Sequence, residues 1–269
     1  MLTNDPLVSI IMPVFNSGKY LVDSINSVIN QEYVKWELLI INDGSCDNSE
    51  EIIHSYSDSR IYYFKQKNRG VSAARNVGLE NMRGDFFCFL DSDDILPQNS
   101  LIDRLCIFNH NPDIEFVDGK VQVFNNASTV PERLFCPEFQ GLPFRELISL
   151  SGKCFFGPTW MIKRRRAKKY QFLENLTHGE DLLFYISIGE SGLYSFTTSV
   201  IYQYRSGHES AMSNINSLES GYFKIYEELK KMKLSDCDLL RFKRKIKSIM
   251  FKSYLSKWQV CKALKIAIK

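Results

Sequence analysis

The sequence contains no uninterrupted apolar run near the ~20 residues that a membrane-spanning helix requires. Residues 1–7 include neither a basic segment nor a long apolar core, so we expect no signal peptide. The seven cysteines form no Cys-x-x-Cys pair, and an odd, unpatterned set favours reduced thiols over a disulfide framework. Together these absences predict a cytoplasmic protein, and peripheral contact with the inner face of the cell membrane stays open.

A glycine-rich phosphate-binding loop is also absent after the first apolar segment. A dehydrogenase would carry Gly-x-Gly-x-x-Gly there, and a nucleotidyltransferase would carry a glycine-rich loop with basic residues. Residues 13–19 are instead Pro-Val-Phe-Asn-Ser-Gly-Lys. The sequence therefore disfavours both of these nucleotide-binding enzyme classes.

The composition is that of an ordinary folded protein, with 44% hydrophobic and 24% charged residues in a chain of 269. This length suits one large α/β domain with a small appendage. The formal net charge of +3 is unevenly distributed, because residues 224–269 contain fourteen Lys or Arg against four Asp or Glu. The C-terminal segment is therefore strongly basic, and the rest of the chain is acidic.

Apolar patterning in the first hundred residues alternates between strand-like and helix-like segments. Short apolar runs predict strands at residues 8–14, 37–41, 61–64 and 86–90. Helical spacing predicts helices at residues 19–30, with Ser17 as the N-cap, and at 47–56, 71–81 and 97–109. This alternation predicts an α/β fold with a Rossmann-like, mostly parallel sheet and helices on both faces.

Beyond about residue 112 the pattern loosens but still indicates further elements. Strands are expected at residues 114–123, 155–162 and 194–204, and helices at 143–150 and 181–188. From about Leu218 onward the pattern predicts two basic, amphipathic helices.

Three of the predicted strands end in polar segments. These segments are residues 13–16 (Pro-Val-Phe-Asn), 42–45 (Asn-Asp-Gly-Ser) and 91–94 (Asp-Ser-Asp-Asp). The carboxyl ends of parallel strands lie along one edge of the sheet, where the ligand crevice of such folds forms. We therefore expect the three segments to converge on one site.

The segment 91–94 places three carboxylates within four residues after a buried strand. Unpaired carboxylates this close repel one another and raise each other's pKa. A divalent cation with oxygen ligands removes that penalty and can bridge to substrate phosphates. Taken alone, the segment is also typical of a polar turn that caps a helix, but its place beside two other polar strand ends favours a metal site.

Asp43 and Arg75 each allow a structural and a functional interpretation. The Asp-Gly dipeptide at residues 43–44 is typical of a turn, but a buried Asp43 could accept from the imide N–H of a uracil ring. Arg75 follows two alanines that permit close packing, so it could reach a nucleotide. The alternative interpretation is that Arg75 is an ordinary solvent-exposed arginine of the helix.

Taken together, these segments resemble the family 2 inverting glycosyltransferases of the GT-A fold. The resemblance rests on residues 13–16, 42–45, 68–70 with 73–76, and 91–94, in this order and at this spacing. It continues more weakly to about residue 210, where Gly179-Glu180-Asp181 is similar to the family's acidic motif at a helix start. His208 is similar to the family's late metal-facing histidine.

The resemblance implies a role for each matching residue. It implies that Asp181 is the catalytic base and that Asp93 ligates a Mn²⁺ or Mg²⁺ ion on the donor's diphosphate. Asp91 would contact the ribose or the metal, and His208 would complete the metal or diphosphate site. The nucleotide would be bound by Pro13, Val14, Asn16, Asp43, Arg75, Asp91 and Ser92. It also implies a GT-A domain over residues 1–212, divided into a nucleotide-binding half (1–110) and an acceptor-binding half (111–212), with a basic helical extension at 213–269.

The implied reaction is metal-dependent, inverting transfer of a sugar from a nucleotide-diphosphate donor, expected to be a UDP-sugar. The acceptor would be a hydroxyl of a saccharide or a lipid-linked molecule in surface polysaccharide or glycolipid synthesis. An acceptor hydroxyl must lose its proton as it attacks, so a positioned carboxylate such as Asp181 helps as a general base. Asp181 also suits a purely structural place in the first turn of a helix. A catalytically silent sugar-nucleotide-binding or membrane-associated assembly subunit is the competing hypothesis.

Three further features leave alternatives open. Trp160 could stack on an acceptor sugar or lie in the core, and the basic run 163–169 could attract an anionic acceptor or form a solvated face. The basic C-terminal stretch carries apolar residues along one side, namely Leu239, Phe242, Ile246, Ile249 and Met250. This side could contact anionic lipid, a second subunit or the chain's own domain. No recognised nucleic-acid module accompanies it, so we expect no nucleic-acid partner.

Overall fold

The structure is a computed structural model that describes residues 5–125, 132–176, 178–207, 215–232 and 234–268. The strands within these ranges are β1 (Val8–Val14), β2 (Trp36–Asn42), β3 (Ile61–Lys65), β4 (Phe86–Phe89), β5 (Ile114–Phe124), β6 (Arg133–Phe135), β7 (Met161–Lys163) and β8 (Leu193–Arg205). The helices are α1 (Leu21–Ile29), α2 (Ser49–His54), α3 (Val71–Asn81), α4 (Ser100–His110), α5 (Phe144–Ile148), α6 (Glu180–Ile188), α7 (Ile215–Lys231), α8 (Asp236–Ser256) and α9 (Val260–Ile268).

The strands form one mixed, mostly parallel sheet in the order β3-β2-β1-β4-β7-β5-β6, with β8 paired to β5. Strands β3, β2, β1 and β4 are parallel, as are β5 and β8, whereas β7 is antiparallel to both of its neighbours. The α/β fold expected from the alternating pattern is therefore confirmed. The antiparallel β7 joins the two parallel parts of the sheet.

Alternate residues of the central strands supply two separate hydrophobic cores, one on each face of the sheet. In β1, Ile10 and Met12 pack with α1, α2 and α4, whereas Ile11 packs with α3 and α6. Strand β4 divides in the same way, with Cys88 on the first face and Phe87 on the second. This period of two explains why strands buried on both faces appear in the sequence as almost continuous apolar runs.

Two details of the sequence-based prediction are wrong. Helix α1 begins at Leu21 with Tyr20 as its N-cap residue, and Ser17 caps nothing with its side chain. The Ser17 hydroxyl instead hydrogen-bonds the Ser92 hydroxyl over 2.6 Å. Strand β7 is also much shorter than the expected residues 155–162, because Gly157 and Pro158 interrupt the backbone and Thr159 N–H closes a turn onto the Gly157 carbonyl.

The C-terminal segment forms three helices rather than the two expected. Helix α8 ends at Ser256, and Trp258 adopts a left-handed φ of 58° before α9 begins at Val260. Neither Gly nor Pro marks this turn, so the pattern alone does not reveal it. Within the described ranges no helix is both long and apolar enough to cross a lipid bilayer.

The apolar side of α8 packs on the chain's own domain. Phe242 and Ile246 are fully buried and share a core with Ile225 and Leu229 of α7 and with the residues of α6. Of the alternatives left open for this side of α8, burial against the chain's own core is therefore the one observed. The boundary between a catalytic domain and an extension near residue 213 stays a prediction.

Candidate active site

The three polar segments lie at one edge of the sheet, because β1, β2 and β4 are adjacent and parallel. Val14 at the end of β1 is in register with Asn42 at the end of β2, and Ile11 is in register with Phe89 at the end of β4. The backbone amide of Asp43 donates to the carbonyl of Val14 over 2.8 Å. The buried backbone of Pro13 and Val14 thus borders the start of the segment that carries Asp43.

Asp43 is buried and organises the loop that follows β3. Its carboxylate accepts from Gln66 Nε2 at 2.6 Å, from Arg69 N at 2.9 Å and from Gly70 N at 2.8 Å. A carboxylate has about four acceptor positions, so one position is left for a ligand. The neighbouring Gly44 has a φ of 75°, and a Cβ there would lie 2.9 Å from the amide nitrogen of Asn68. Only glycine allows this close approach of the two loops.

Asn16 connects the loop after β1 to the loop after β2. Its side-chain oxygen accepts from the Cys46 amide at 2.8 Å, and its own amide donates to the Ser45 hydroxyl at 3.1 Å. Asn16 is exposed and has a φ of 50°, a conformation that asparagine tolerates better than most residues. The structure therefore shows Asn16 as a loop-forming residue at the rim of the site.

Arg75 is the buried centre of the site. Its guanidinium donates to Asp91 Oδ1 at 2.9 Å and to Glu180 Oε1 at 3.1 Å, and it packs over the ring of Phe172 at 5.3 Å. Burial by itself lowers the pKa of Arg75, but the charges of Asp91, Glu180 and Asp181 raise it above its ordinary value. The alternative of a solvent-exposed helix arginine is therefore wrong. One side chain instead links β4 with α6.

Asp181 lies in the first turn of α6, whose preceding residue Gly179 has a φ of 72°. Its Oδ1 accepts from the amide of Leu182 at 2.7 Å. Burial and the adjacent Glu180 raise the pKa of Asp181 to about 7, against the opposing effect of Arg75. A carboxyl with a pKa near neutrality suits proton transfer at physiological pH.

The acidic segment 91–94 divides into one buried anchor and more exposed carboxylates. Asp94 is buried, and it accepts from the Tyr202 hydroxyl at 2.8 Å and from the Arg205 amide at 2.7 Å. Burial, followed by the charges of Asp93 and Asp91, raises the pKa of Asp94 well above its usual range. Asp94 therefore attaches the segment to β8.

Ser92 and Asp93 are held by their neighbours through both side chain and backbone. The Ser92 hydroxyl hydrogen-bonds Ser17, and its carbonyl accepts from the Ser24 hydroxyl at 2.9 Å. The Asp93 carbonyl accepts from Nε of Arg205 at 2.6 Å. These bonds fix the backbone of the segment, and the Asp91 and Asp93 side chains are only partly buried at the edge of the sheet.

The contacts of Tyr202, Arg205 and Glu180 were not predictable from the sequence pattern. Tyr202 and Arg205 of β8 hydrogen-bond Asp94 of the acidic segment, which lies more than 100 positions away in sequence. Glu180 and Asp91 both accept from the Arg75 guanidinium. A buried arginine at a strand end has no local pattern that would reveal it. Glu180 was visible only as the neighbour of Asp181.

Trp160 is not brought to this edge, and the position of one further predicted residue is not described. His208 lies outside the described residues. Within the ranges that the structure describes, no three His, Cys, Asp or Glu side chains are grouped so as to hold a metal ion by themselves. Trp160 is fully buried, donates from Nε1 to the Cys154 carbonyl at 2.9 Å and stacks on Tyr185 at 4.3 Å. It is a core residue and does not stack on a sugar.

The basic run 163–169 lies at the opposite edge of the sheet. Lys163 is in register with Phe86, the first residue of β4. The acidic segment follows the other end of the same strand. Arg165 pairs with Glu115, and Lys168 donates to the Ile188 carbonyl at 3.1 Å. This run therefore does not border the site, and part of it serves internal contacts.

The same residues carry a family signature. The sequence model of the family described as Glycosyl transferase family 2 matches residues 9–171, which is more than half of the chain. The chain belongs to glycosyltransferase family 2. The matched span of this glycosyltransferase includes Asp43, Arg75 and the acidic segment, but it ends before α6.

Named relatives are consistent with this membership. An uncharacterized glycosyltransferase of Haemophilus influenzae is 34% identical over 85% of this chain and 91% of its own length. The Escherichia coli UDP-Glc:alpha-D-GlcNAc-diphosphoundecaprenol beta-1,3-glucosyltransferase WfgD is 35% identical over 69% of this chain and 70% of its own. An uncharacterized glycosyltransferase of Rickettsia bellii is 32% identical over 82% of this chain, which spans only 32% of that longer protein.

Solved structures share the fold. S. aureus TarS 1–349 in complex with UDP-GlcNAc has a TM-score of 0.70 at 20% identity, over 89% of this chain and 71% of that one. The mannosyltransferase PcManGT from Pyrobaculum calidifontis, in complex with GDP-Man and Mn²⁺, has a TM-score of 0.64 at 14% identity, over 98% of this chain and 74% of that one. The expected GT-A type architecture is therefore confirmed.

Proposed function

We propose that this glycosyltransferase catalyses metal-dependent, inverting transfer of a sugar from a UDP-sugar to a hydroxyl of a saccharide or lipid-linked acceptor. The observation that carries the proposal is the double ion pair of Arg75 with Asp91 and Glu180. It joins the proposed metal-binding segment after β4 to the helix start that holds the proposed base. The leaving diphosphate and the attacking hydroxyl must meet within one such site.

A uridine nucleotide suits the groups at the ends of β1 and β2. Asp43 keeps one acceptor position, and the buried Oε1 of Gln66 beside it has no hydrogen-bond partner among the described residues. Both can accept from the imide N–H of a pyrimidine base. The buried Nε of Arg75 likewise lacks a partner within the described ranges, so it can donate to the nucleotide. The donor class named for the E. coli relative, UDP-glucose, points the same way.

The donor set fits a divalent metal shared with the substrate. Magnesium and manganese sites on phosphates commonly use one or two carboxylates together with phosphate oxygens. Asp93 and Asp91 are the proposed carboxylates, and Asp91 also pairs with Arg75. Asp94 is buried and hydrogen-bonded to β8. When bound, the metal would act as a Lewis acid that stabilises charge on the leaving phosphate. His208 stays a proposed third ligand.

Asp181 is proposed to take the proton of the acceptor hydroxyl. The hydrogen bond from Leu182 fixes one carboxylate oxygen, and the positive end of the α6 dipole favours the ionised form. Direct attack assisted by one base, with no covalent intermediate on the enzyme, inverts the anomeric configuration. We place the reaction in the cytoplasm, where seven free cysteines remain reduced. Surface polysaccharide or glycolipid synthesis is its proposed setting.

The proposal is tested by separating binding from turnover. Calorimetric titration of UDP, with GDP and dTDP as controls, should show UDP binding that requires Mn²⁺ or Mg²⁺. Asp93→Ala should abolish the metal-dependent part of this binding. Asp181→Asn should keep UDP affinity within about twofold but lower kcat at least about a hundredfold in a UDP-release assay.

The opposite results are equally informative. An Asp181→Asn variant with normal turnover would reject the base assignment, and UDP binding without any need for metal would reject the metal site. If the parent protein binds UDP but consumes no UDP-sugar with any saccharide or lipid-linked acceptor, the competing hypothesis of a silent binding subunit is favoured.

A further inference from the structure

Helices α8 and α9 expose an apolar surface that the core does not use. We call it the corner patch, and it consists of Leu255, Trp258, Val260 and Leu264. Trp258 is 89% exposed, although tryptophan is among the side chains that gain most from burial. Its left-handed backbone costs free energy for any residue with a side chain. The turn thus holds a large aromatic side chain outward against two opposing preferences.

The packing of α9 explains why the rest of the corner patch faces outward. Ala263 and Ile266 of α9 are buried against Met250 and Tyr254 of α8. Residues three or four apart share one side of a helix. Val260 and Leu264 lie four positions apart on a neighbouring side of α9, and both are exposed. Helix α9 therefore has more apolar residues than it uses for packing on α8.

The outward side of α8 leads to this corner and is basic. Because Phe242, Ile246, Met250 and Tyr254 point inward, helical spacing puts another set on the outer side. This set comprises Arg241, Arg244, Ser248 and Lys252, which we call the basic face, and it ends at Leu255 of the corner patch. From Leu239 to the last residue the sequence contains ten Lys or Arg and no Asp or Glu. A groove lined by Ser149, Leu240 and Lys245 continues the basic face toward α5.

We propose that the basic face and the corner patch form a docking surface for an anionic lipid bilayer. Lysines and arginines next to a bilayer bind acidic headgroups, and tryptophan prefers the bilayer–water interface. In the docked state Trp258, Val260 and Leu264 enter the interface, while the basic face remains on the phosphates. This surface differs from the apolar side of α8, which is buried in the core.

Charge and polarity distinguish this occupant from others. A second copy seated on the same surface would bring two strongly basic segments together, and Asp238 at the start of α8 already pairs with Arg241 of its own chain. A nucleic acid would satisfy the charge but would leave the aliphatic residues Val260 and Leu264 without an apolar partner. An anionic bilayer satisfies both parts of the surface.

The proposal rests on α8 and α9 alone and is independent of the proposed reaction. The full chain is tested by flotation with vesicles of phosphatidylcholine, with or without phosphatidylglycerol, at low and high salt. We expect binding only to the anionic vesicles, and weaker binding at high salt. Trp36 and Trp160 are buried, so a blue shift of tryptophan emission on binding would report entry of Trp258.

Paired variants separate the two parts of the surface. The double variant Trp258→Ser and Leu264→Ser should bind anionic vesicles roughly tenfold more weakly and lose the blue shift. Its control, Val34→Ser and Leu142→Ser, changes two exposed apolar residues elsewhere and should bind normally. Circular dichroism and thermal unfolding should show that both variants remain folded.

A charge-reversal pair tests the basic face. Arg244→Glu with Lys252→Glu should weaken binding at least about tenfold. Its control, Lys35→Glu with Lys153→Glu, removes the same charge from exposed positions elsewhere and should change binding little. UDP titration of the same variants should match the parent, so a defect in the donor site would be recognised separately.

Three outcomes would overturn the proposal. The first is equal binding to neutral and anionic vesicles, and the second is no binding to either. The third is self-association that Trp258→Ser abolishes while vesicle binding is unchanged, which would assign the corner patch to a second copy.

Discussion

At the scale of single residues, the site depends on one buried cation. Arg75 is shared by Asp91 and Glu180, so it offsets part of the negative charge that gathers where β4 and α6 meet. Truncating a buried, paired charge leaves its partners uncompensated, which is costly. Asp181 nevertheless keeps a raised pKa, because burial and Glu180 outweigh the attraction of Arg75.

The pH dependence of turnover follows from this balance. A general base must be deprotonated, so with Asp181 in its proposed role kcat/KM should rise with pH through a limb at about 7, the pKa of Asp181. Glu180→Gln removes the neighbouring charge that raises this pKa, so the limb should move to lower pH. A pH–rate profile of both proteins checks the shift. A limb that stays in place or moves upward would contradict the assigned cause.

At the scale of elements, α7 supports the turn that starts α6. A Cβ at Gly179 would lie 2.7 Å from Cδ1 of Ile225, and a Cβ at Gly221 would lie 2.7 Å from the His178 carbonyl. Tyr222 of the same helix has a pKa raised by burial and then by the charge of Asp181. A helix outside the matched family span therefore lies against the turn that presents the proposed base.

Gly179→Ala should consequently displace the proposed base Asp181 without changing nucleotide binding. We expect a loss of about 1–2 kcal/mol in unfolding free energy from the left-handed backbone, and a further loss from the clash with Ile225. UDP affinity should change little while kcat falls. Gly152→Ala is the matched control, because Gly152 has a φ of 78° but an added Cβ would meet nothing within 4 Å.

A second variant isolates the clash. Ile225→Val removes Cδ1, so the double variant Gly179→Ala with Ile225→Val should recover part of the kcat that Gly179→Ala loses. Chemical denaturation and steady-state kinetics measure both effects. No recovery in the double variant would mean that the backbone, rather than the contact with α7, controls the position of Asp181.

At the scale of the whole molecule, the C-terminal helices are continuous with the core. Phe242 and Ile246 of α8 are buried in the same cluster as Phe184 of α6 and Phe89 of β4. Such continuity predicts that the extension and the sheet unfold together, even though the family model ends at residue 171.

Phe242→Ala therefore should destabilise the entire chain. A buried phenylalanine truncated to alanine costs about 3–5 kcal/mol, and the loss should appear as one cooperative transition at a lower temperature. Leu240→Ala, two positions away and exposed, should change stability by less than about 0.5 kcal/mol. Calorimetry that resolves an early transition for α8 and an unchanged later one would instead support an independent extension.

Much of the fold was accessible from the sequence, for local reasons. The strands at residues 8–14 and 37–41 lie between cores on both faces, so each appears as an almost continuous apolar run, with Ser9 and Glu37 as the polar exceptions. The polar segments after β1, β2 and β4 predicted that these segments meet at one edge of the sheet, because parallel strands carry their carboxyl ends to one side. The turn at Trp258 escaped prediction because no glycine or proline marks it.

The sequence by itself thus determined the α/β class, the family and the polar segments of the candidate site, because apolar period and turn chemistry are encoded in neighbouring residues. Only the tertiary structure decided how these residues share charge. Arg75 meets Glu180 across 105 positions, and Asp94 meets Tyr202 across 108. Local patterns carry no information about such partners, because burial and pairing arise only when the chain folds and brings β4, β8 and α6 together.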